Sequence, residues 1–270
     1  QHVLGIDARR IPPAWAVRTL EQTIASAPTP DVYLFKDTFT NFYHPEVGTS
    51  AVELFASIGL ATALAPNVCC GRPLISQGLL EEARQRAASN VDLLLPIARR
   101  QLPIVFCEPS CLSSVKEDLP DLLRGEARRN ALEVARMCLS FEEFLETHHA
   151  GRLRLRAGPK RVLLHGHCHQ KSMGLVASAK SLLQRIPGAE VVDLDAGCCG
   201  MAGSFGYATD HYDVSLAIAE RKLLPAARAM RENDVLVAAG VSCRHQVHDL
   251  AHRHALHPAS LLHSLLDKAP

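Results

Sequence analysis

The 270-residue chain is expected to fold as an α/β protein of two pseudo-repeated halves, each a small, mostly parallel sheet flanked by helices, with cysteine motifs on loops at strand ends. Three observations lead there. Short apolar runs alternate with helical patterns, the arrangement that builds parallel layers with sites at the carboxyl ends of strands. The motif NVCCGRPLISQG at 67–78 recurs as AGCCGMAGSFG at 196–206. The same order of elements also runs twice, at a spacing of about 130 residues.

In the first half a strand at 32–35 (VYLF) runs into KDTFTN, and a helix follows around 49–60. After the double-cysteine motif, Leu79, Ala83, Ala87, Val91, Leu94 and Ala98 recur at three and four, marking an amphipathic helix that covers a sheet face. A strand at 103–106 (PIVF) then delivers CEPSC. The second half answers with a strand at 161–165 entering GHCHQK, a helix through SLLQRI and a strand at 190–194. The double-cysteine motif comes next, then a helix carrying Leu216, Ala219, Leu223, Ala227 and Met230, a strand at 234–239 and GVSCRHQ. The basic, glycine-containing stretch 150–161 is the expected junction, giving a first half at 30–149 and a second at 158–270, preceded by a linker over 1–29.

Lys+Arg 29 against Asp+Glu 28 leaves a net charge of +1, so no electrostatic footprint for nucleic acid is expected. No run of about 18 apolar residues exists, which argues against a transmembrane helix. The chain opens at Gln1, without a signal peptide, and is expected to be part of a longer polypeptide in the cytoplasm or at the membrane periphery. Nine cysteines are too few and odd in number for a secreted disulfide scaffold, which favours a reducing compartment.

Neighbouring cysteines make strained disulfides, so the paired thiols at 69–70 and 198–199 must serve another purpose. Cys168, Cys198, Cys199 and Cys243 come from three strand ends with gaps of 30 and 44 residues, unlike the close pairs of a zinc knuckle. Four thiolates suit an iron–sulfur cluster of the 4Fe-4S type, with zinc as the alternative. Glycines at 197, 200, 203 and 206 let backbone N–H groups approach such a cluster. His167, His169 and Lys171 flank Cys168 and are expected to surround the metal without ligating it. The two histidines should point away if the stretch is extended. Arg72 and Arg244 either offset the charge of the site or form surface ion pairs worth little. In the first half Cys69, Cys70 and Cys111 form the corresponding set, as ligands or as scaffold that has lost its metal. Cys138 is expected to be a buried core thiol. The histidines at 245, 248, 252, 254 and 257 are irregularly spaced and read as a turn before a terminal helix rather than a metal tract.

The blocks KDTFTNFYHPEVG, CCGRPLISQGLL, EPSCLSSVKEDLPDL, HGHCHQKSM, GCCGMAGSFGY and SCRHQ, in that order, resemble the cysteine-rich CCG domain of iron–sulfur oxidoreductases. Relatives of that kind include the CCG-containing component of heterodisulfide reductase and the iron–sulfur components of glycolate oxidase and anaerobic glycerol-3-phosphate dehydrogenase. The blocks look closer still to the C-terminal region of FAD-linked D-lactate or D-2-hydroxyglutarate dehydrogenases. The resemblance implies an electron-transfer module that relays electrons from flavin to an external acceptor. Its FAD would lie only in an upstream domain of the same polypeptide, followed by a ferredoxin-like segment. The chain alone would be inactive on hydroxy acids. It departs from the heterodisulfide reductase pattern, since Asp37 or Thr38 takes the leading position of the first half and Glu108 stands three before Cys111, with Cys107 displaced by one. Gly240 stands three before Cys243. Cys107, Asp37 and Glu108 are therefore additional ligand candidates rather than parts of a five-cysteine cluster. Two other classes stay open: a thiol–disulfide redox enzyme and a zinc-stabilised interaction scaffold.

Overall fold

The computed structural model describes residues 5–267. The chain divides into two compact units, Trp15–Leu153 and a second made of Arg154–Pro270 with the opening segment up to Ala14. In the first, β1 (Val32–Leu34), β2 (Thr62–Leu64), β3 (Ile104–Phe106) and β4 (Cys138–Ser140) form a sheet of order β2-β1-β3-β4. In the second, β5 (Arg161–Leu164), β6 (Glu190–Asp193), β7 (Asp234–Val237) and β8 (Ala255–Leu256) repeat that order as β6-β5-β7-β8. Every pairing is parallel. The chain leaves each first strand toward one edge and returns past it to the other side, so a crevice opens at the carboxyl ends of the two central strands. The loops after β1, β2 and β3, and those after β5, β6 and β7, therefore meet at one edge of their own sheet.

The sheet strands are short and apolar because both faces are covered, as in other parallel sheets. Phe35 and Phe106 stack with centroids 4.3 Å apart, and Phe55 packs on Phe141 and Phe144. The helix Leu80–Arg99 buries Ala83, Ala87, Val91, Leu94 and Ala98 of the stripe expected from their spacing, whereas Leu79 precedes the helix and is exposed. The corresponding second-half stripe is interrupted. It forms Tyr212–Glu220 and Leu223–Arg228, because Pro225 has no N–H for the Arg221 carbonyl and its ring crowds that group. Three short strands, β2, β4 and β8, lie outside the sequence expectations. Cys138 opens β4, is fully buried and donates to the Val134 carbonyl at 3.3 Å.

The opening segment runs along its unit through a bridge between Ile6 and Ala208. Arg10 is buried there, donating to the Gly206 carbonyl at 2.8 Å and Ser215 Oγ at 3.1 Å, with Asp249 at 3.3 Å. No helix among the described residues is long and apolar enough to cross a membrane.

Candidate metal centre

Each unit builds its site from the same three loops, and in the second every one of the three supplies a thiol. Strand β5 ends at Leu164, and the His165 N–H extends the ladder to the Val237 carbonyl at 2.9 Å. His167 then caps the helix Cys168–Ser172: its Nδ1 accepts from the His169 N–H at 3.2 Å, and Gln170 Oε1 accepts from the His167 N–H at 3.0 Å. The stretch is thus a helix start, not the extended segment expected, and the two imidazoles stack with centroids 5.3 Å apart rather than alternating in direction. Cys168 occupies the first helical position and is exposed.

After β6 the chain turns sharply and presents Cys198 half-buried and Cys199 buried. Gly200 has φ +89°, and a Cβ there would lie 2.2 Å from the Ser215 carbonyl oxygen, so only glycine lets this turn sit on the following helix. Its N–H donates to Cys198 Sγ at 3.3 Å. Lys171 Nζ donates to the Gly197 carbonyl at 3.0 Å, tying this turn to the loop after β5. After β7, Gly240 caps the helix Val241–Ala251, which carries a fully buried Cys243. A Cβ at Gly240 would fall 2.2 Å from Cδ2 of His167: the imidazole fills the space that a side chain three residues before Cys243 would need. Arg244 donates to the Ala238 carbonyl at 3.1 Å, bracing the end of β7.

The four sulfurs form a chain of contacts. Cys198 is held well below the usual thiol range by hydrogen bonds from Cys168 and Cys199, with the Gly200 N–H adding to them. Cys243 is held low by the Cys199 hydrogen bond, against burial, with the nearby rings of His165, which also contacts the thiol, and His167 assisting. Cys168 and Cys199, as the donors, are pushed up. Four thiolates linked in a row cannot all ionise without a cation, so protons are shared along it, and a bound metal would displace them. Cys199 and Cys243 sit in an apolar cluster with Met201, Leu236 and Val247, which would limit water around such a centre.

His165, Cys199 and Cys243 are a trio whose donor atoms all lie within 4.8 Å of one another, and all three are buried. Sequence reasoning misses His165, although an imidazole closing an otherwise apolar strand is a visible signal.

In the Trp15–Leu153 unit Thr38 takes the place of Cys168, and Asp37 takes that of the capping His167. The Asp37 carboxylate accepts from the Phe39 and Thr40 N–H groups at 2.9 Å and from Thr40 Oγ1 at 2.6 Å. Cys69 is exposed, while Cys70, Cys107 and Cys111 are buried. The Cys70 thiol donates to Cys111 Sγ at 3.3 Å. Glu108 caps its helix by accepting from the Ser110 N–H and hydroxyl. Cys111 is drawn down by the Cys70 hydrogen bond but pushed up overall, to about 11, by burial and the Asp37 and Glu108 charges. Arg72 pairs with half-buried Asp118 at 3.0 Å. The loop is held by fully buried Asn90, whose amide donates to the Cys69 carbonyl at 3.0 Å and whose oxygen accepts from the Val68 N–H at 3.1 Å. Asn90 is legible as a polar residue on the buried stripe of its helix, a signal that motif reading alone does not use.

Burial, then the Glu108 charge, raises Asp37 to about 6. The folded pKa lies above the ordinary value, so the ionised carboxylate costs stability, fully above about pH 6 and vanishing toward about pH 4. Metal-free Asp37→Asn, which keeps a capping oxygen, should therefore unfold later than the parent by about 1–3 kcal/mol near pH 8 and equally near pH 4. Urea titrations at the two pH values would show this. A less stable variant near pH 8 would mean that the carboxylate has a favourable partner.

Among the remaining histidines, His257 caps the helix Pro258–Ser264 and is buried, His248 pairs with Asp249 at 3.3 Å and His245 meets the Tyr207 hydroxyl at 3.4 Å. The rings of His248 and His254 lie 5.4 Å apart.

Comparison with known proteins agrees with this duplicated geometry. A family model described as cysteine-rich domain, CCG, matches residues 36–116 and again 162–248. The chain is 28% identical to a component of the anaerobic glycerol-3-phosphate dehydrogenase of Escherichia coli K12, across 96% of this chain and 66% of that protein. It is 26% identical to D-2-hydroxyglutarate dehydrogenase of Pantoea ananatis, across 92% of this chain and 24% of that protein. Lactate utilization protein A 1 of Bacillus mycoides is 27% identical across 64% of this chain and 72% of its own length. The chain thus spans just under two thirds of the first relative and about a quarter of the second.

Proposed function

Because this chain belongs to the cysteine-rich CCG domain family, matched over both of its halves, we propose that it is the iron–sulfur electron-transfer module of a larger flavin-dependent dehydrogenase. The observation that carries this reading is the meeting of Cys168, Cys198, Cys199 and Cys243 from three strand-end loops, soft donors whose protons are already shared. The residues fit the group: the donors are sulfur, the turn beside them is glycine-rich, and a buried polar ring stands against them without a hydrogen bond of normal geometry. When bound, an iron–sulfur cluster supplies one-electron storage and transfer. The protein's own part is to hold four thiolates in place, to donate the Gly200 N–H to Cys198, to lock the loops through Lys171, and to keep Cys199 and Cys243 dry while Cys168 faces outward.

The names of the relatives share a hydroxylated small acid or phosphoester as the compound oxidised or used. The substrate class we favour is a D-2-hydroxy acid, D-lactate or D-2-hydroxyglutarate, oxidised at an FAD upstream of this region, with electrons passing through this module to an acceptor in the cytoplasm or at the membrane surface. In the Trp15–Leu153 unit Cys69, Cys70 and Cys111, with Asp37 and Glu108 close enough for their charges to act on Cys111 and with Cys107 on the same loop, would form a weaker site or one for a different metal, since carboxylate is the harder ligand.

Anaerobic purification with iron and acid-labile sulfide analysis and a visible spectrum is the first test: a colourless zinc protein would end the cluster reading and leave the scaffold alternative. In the complete enzyme, Cys168→Ala should leave flavin reduction by substrate within about twofold and slow flavin reoxidation by the acceptor at least tenfold, because the lesion follows hydride transfer. Stopped-flow spectra separate the two half-reactions. Loss of flavin reduction with FAD still bound would contradict the relay role. Running the assay with D-lactate, D-2-hydroxyglutarate and glycerol 3-phosphate decides the substrate class.

A further inference from the structure

We infer that His165 is a protein ligand of the metal centre in the Arg154–Pro270 unit, binding through one imidazole nitrogen beside Cys199 and Cys243. The inference rests on the cluster reading above and adds a nitrogen donor to its sulfur set. His165 is 0% exposed, and its ring makes one contact only, toward the Cys243 thiol, without the geometry of a normal hydrogen bond. A thiol is a weak partner for a buried imidazole, and a ring so poorly satisfied is unfavourable unless something absent from the polypeptide engages it. Its donor atom lies within 4.8 Å of those of Cys199 and Cys243, so a single ion could touch all three.

The internal repeat sharpens the point. His165 follows β5 as Phe35 follows β1: each is the residue after the strand and two before the helix cap, His167 or Asp37. Phe35 is fully buried and stacks on Phe106, an apolar solution that leaves no polar atom unpaired. The second unit replaces that benzene ring by an imidazole in the half that has Cys168 in place of Thr38. A packing role alone would be met by phenylalanine, as the other unit demonstrates. His167 does not compete for this role, since its Nδ1 caps a helix and its ring lies against Gly240. A neutral imidazole at this position carries one negative charge fewer than a thiolate would, so exchanging it for cysteine lowers the reduction potential of the centre.

The test uses the full chain labelled with ¹⁵N-histidine, loaded anaerobically with iron and sulfide and reduced, and reads nitrogen hyperfine coupling by pulsed electron paramagnetic resonance. The expected result is one strong coupling, kept in His167→Gln and absent from His165→Cys, with the latter retaining its iron and sulfide at a lower midpoint potential. A loaded centre without strong histidine coupling, or with coupling that survives His165→Cys, overturns the inference while the cluster reading stands. If only zinc is held, the cluster reading fails, and X-ray absorption decides His165 separately: a nitrogen neighbour lost in His165→Cys supports it and an all-sulfur shell overturns it. Failure to bind iron or zinc removes both. Should His165→Cys not fold, the labelled parent protein alone decides, because a centre that lacks nitrogen coupling refutes the ligand.

Discussion

Cys199→Ala and Cys243→Ala, made singly, are expected to strip the metal from the Arg154–Pro270 unit, weakening retention by at least about 100-fold, beyond the loss typical of a residue that merely orients a ligand. Both sulfurs lie in the apolar cluster, whose lining disfavours water as a replacement ligand, and each variant also breaks the row of shared protons through which Cys198 and Cys243 are kept ready to ionise. The stability cost of deleting a buried sulfur is modest by comparison, about 1–3 kcal/mol. Cys138→Ala should show that cost alone, since Cys138 opens β4 and bonds only to the carbonyl of Val134. Metal analysis after desalting, paired with thermal melts, separates the two effects. Full metal content in both site variants would refute the assignment of these thiols, and metal loss in Cys138→Ala would show that they had been sorted wrongly.

Gly200→Ala should be among the most damaging single-methyl additions in the chain, while Gly71→Ala, at the matching position of the other unit, should be mild. Both glycines have positive φ, +89° and +83°, and both variants therefore incur the left-handed penalty of about 1–2 kcal/mol. They differ in what the new carbon meets. At Gly200 it falls 2.2 Å from the backbone oxygen of Ser215, so the turn must lift from its helix and Cys198 and Cys199 move with it. At Gly71 the nearest atoms belong to the Arg86 side chain at 3.5 Å, ordinary contact. Gly200→Ala should accordingly lose about 4 kcal/mol or more, in the range reserved for severe lesions, together with its metal. Denaturant midpoints for the two variants give the comparison, and equal losses would show that the backbone contact at Gly200 is not what restricts the position.

Much of the architecture is legible in the sequence because its signals are periodic or repeated. The stripes beginning at Leu79 and Leu216, the apolar strands and the two double-cysteine turns together specify parallel layers with sites at one edge. What escapes has weaker signals. Strands β4 and β8 are three and two residues long, too short for any periodicity, and exist because a neighbouring strand edge is there to pair with them. The break between Glu220 and Leu223 lies hidden in an apolar pattern that continues across it. The extended reading of residues 167–169 fails because a histidine can cap a helix as a serine does, which composition alone does not reveal. His165 is missed for a related reason: its significance lies in how little satisfies it, a single thiol contact, and that becomes visible only once the strand has been folded against its neighbours.

The buried guanidinium of Arg10 has a consequence for biosynthesis. Its partners are the Gly206 carbonyl, Ser215 and Asp249, all made long after it leaves the ribosome. The Trp15–Leu153 unit lies wholly between, so it can fold co-translationally while the arginine strap stays solvated and waits. The Arg154–Pro270 unit is completed after the Trp15–Leu153 unit, when its later helices reach back for a strap synthesised before both. A fragment cut to begin at Arg154 would leave those three groups without their cation and would understate the stability of the unit it was meant to isolate.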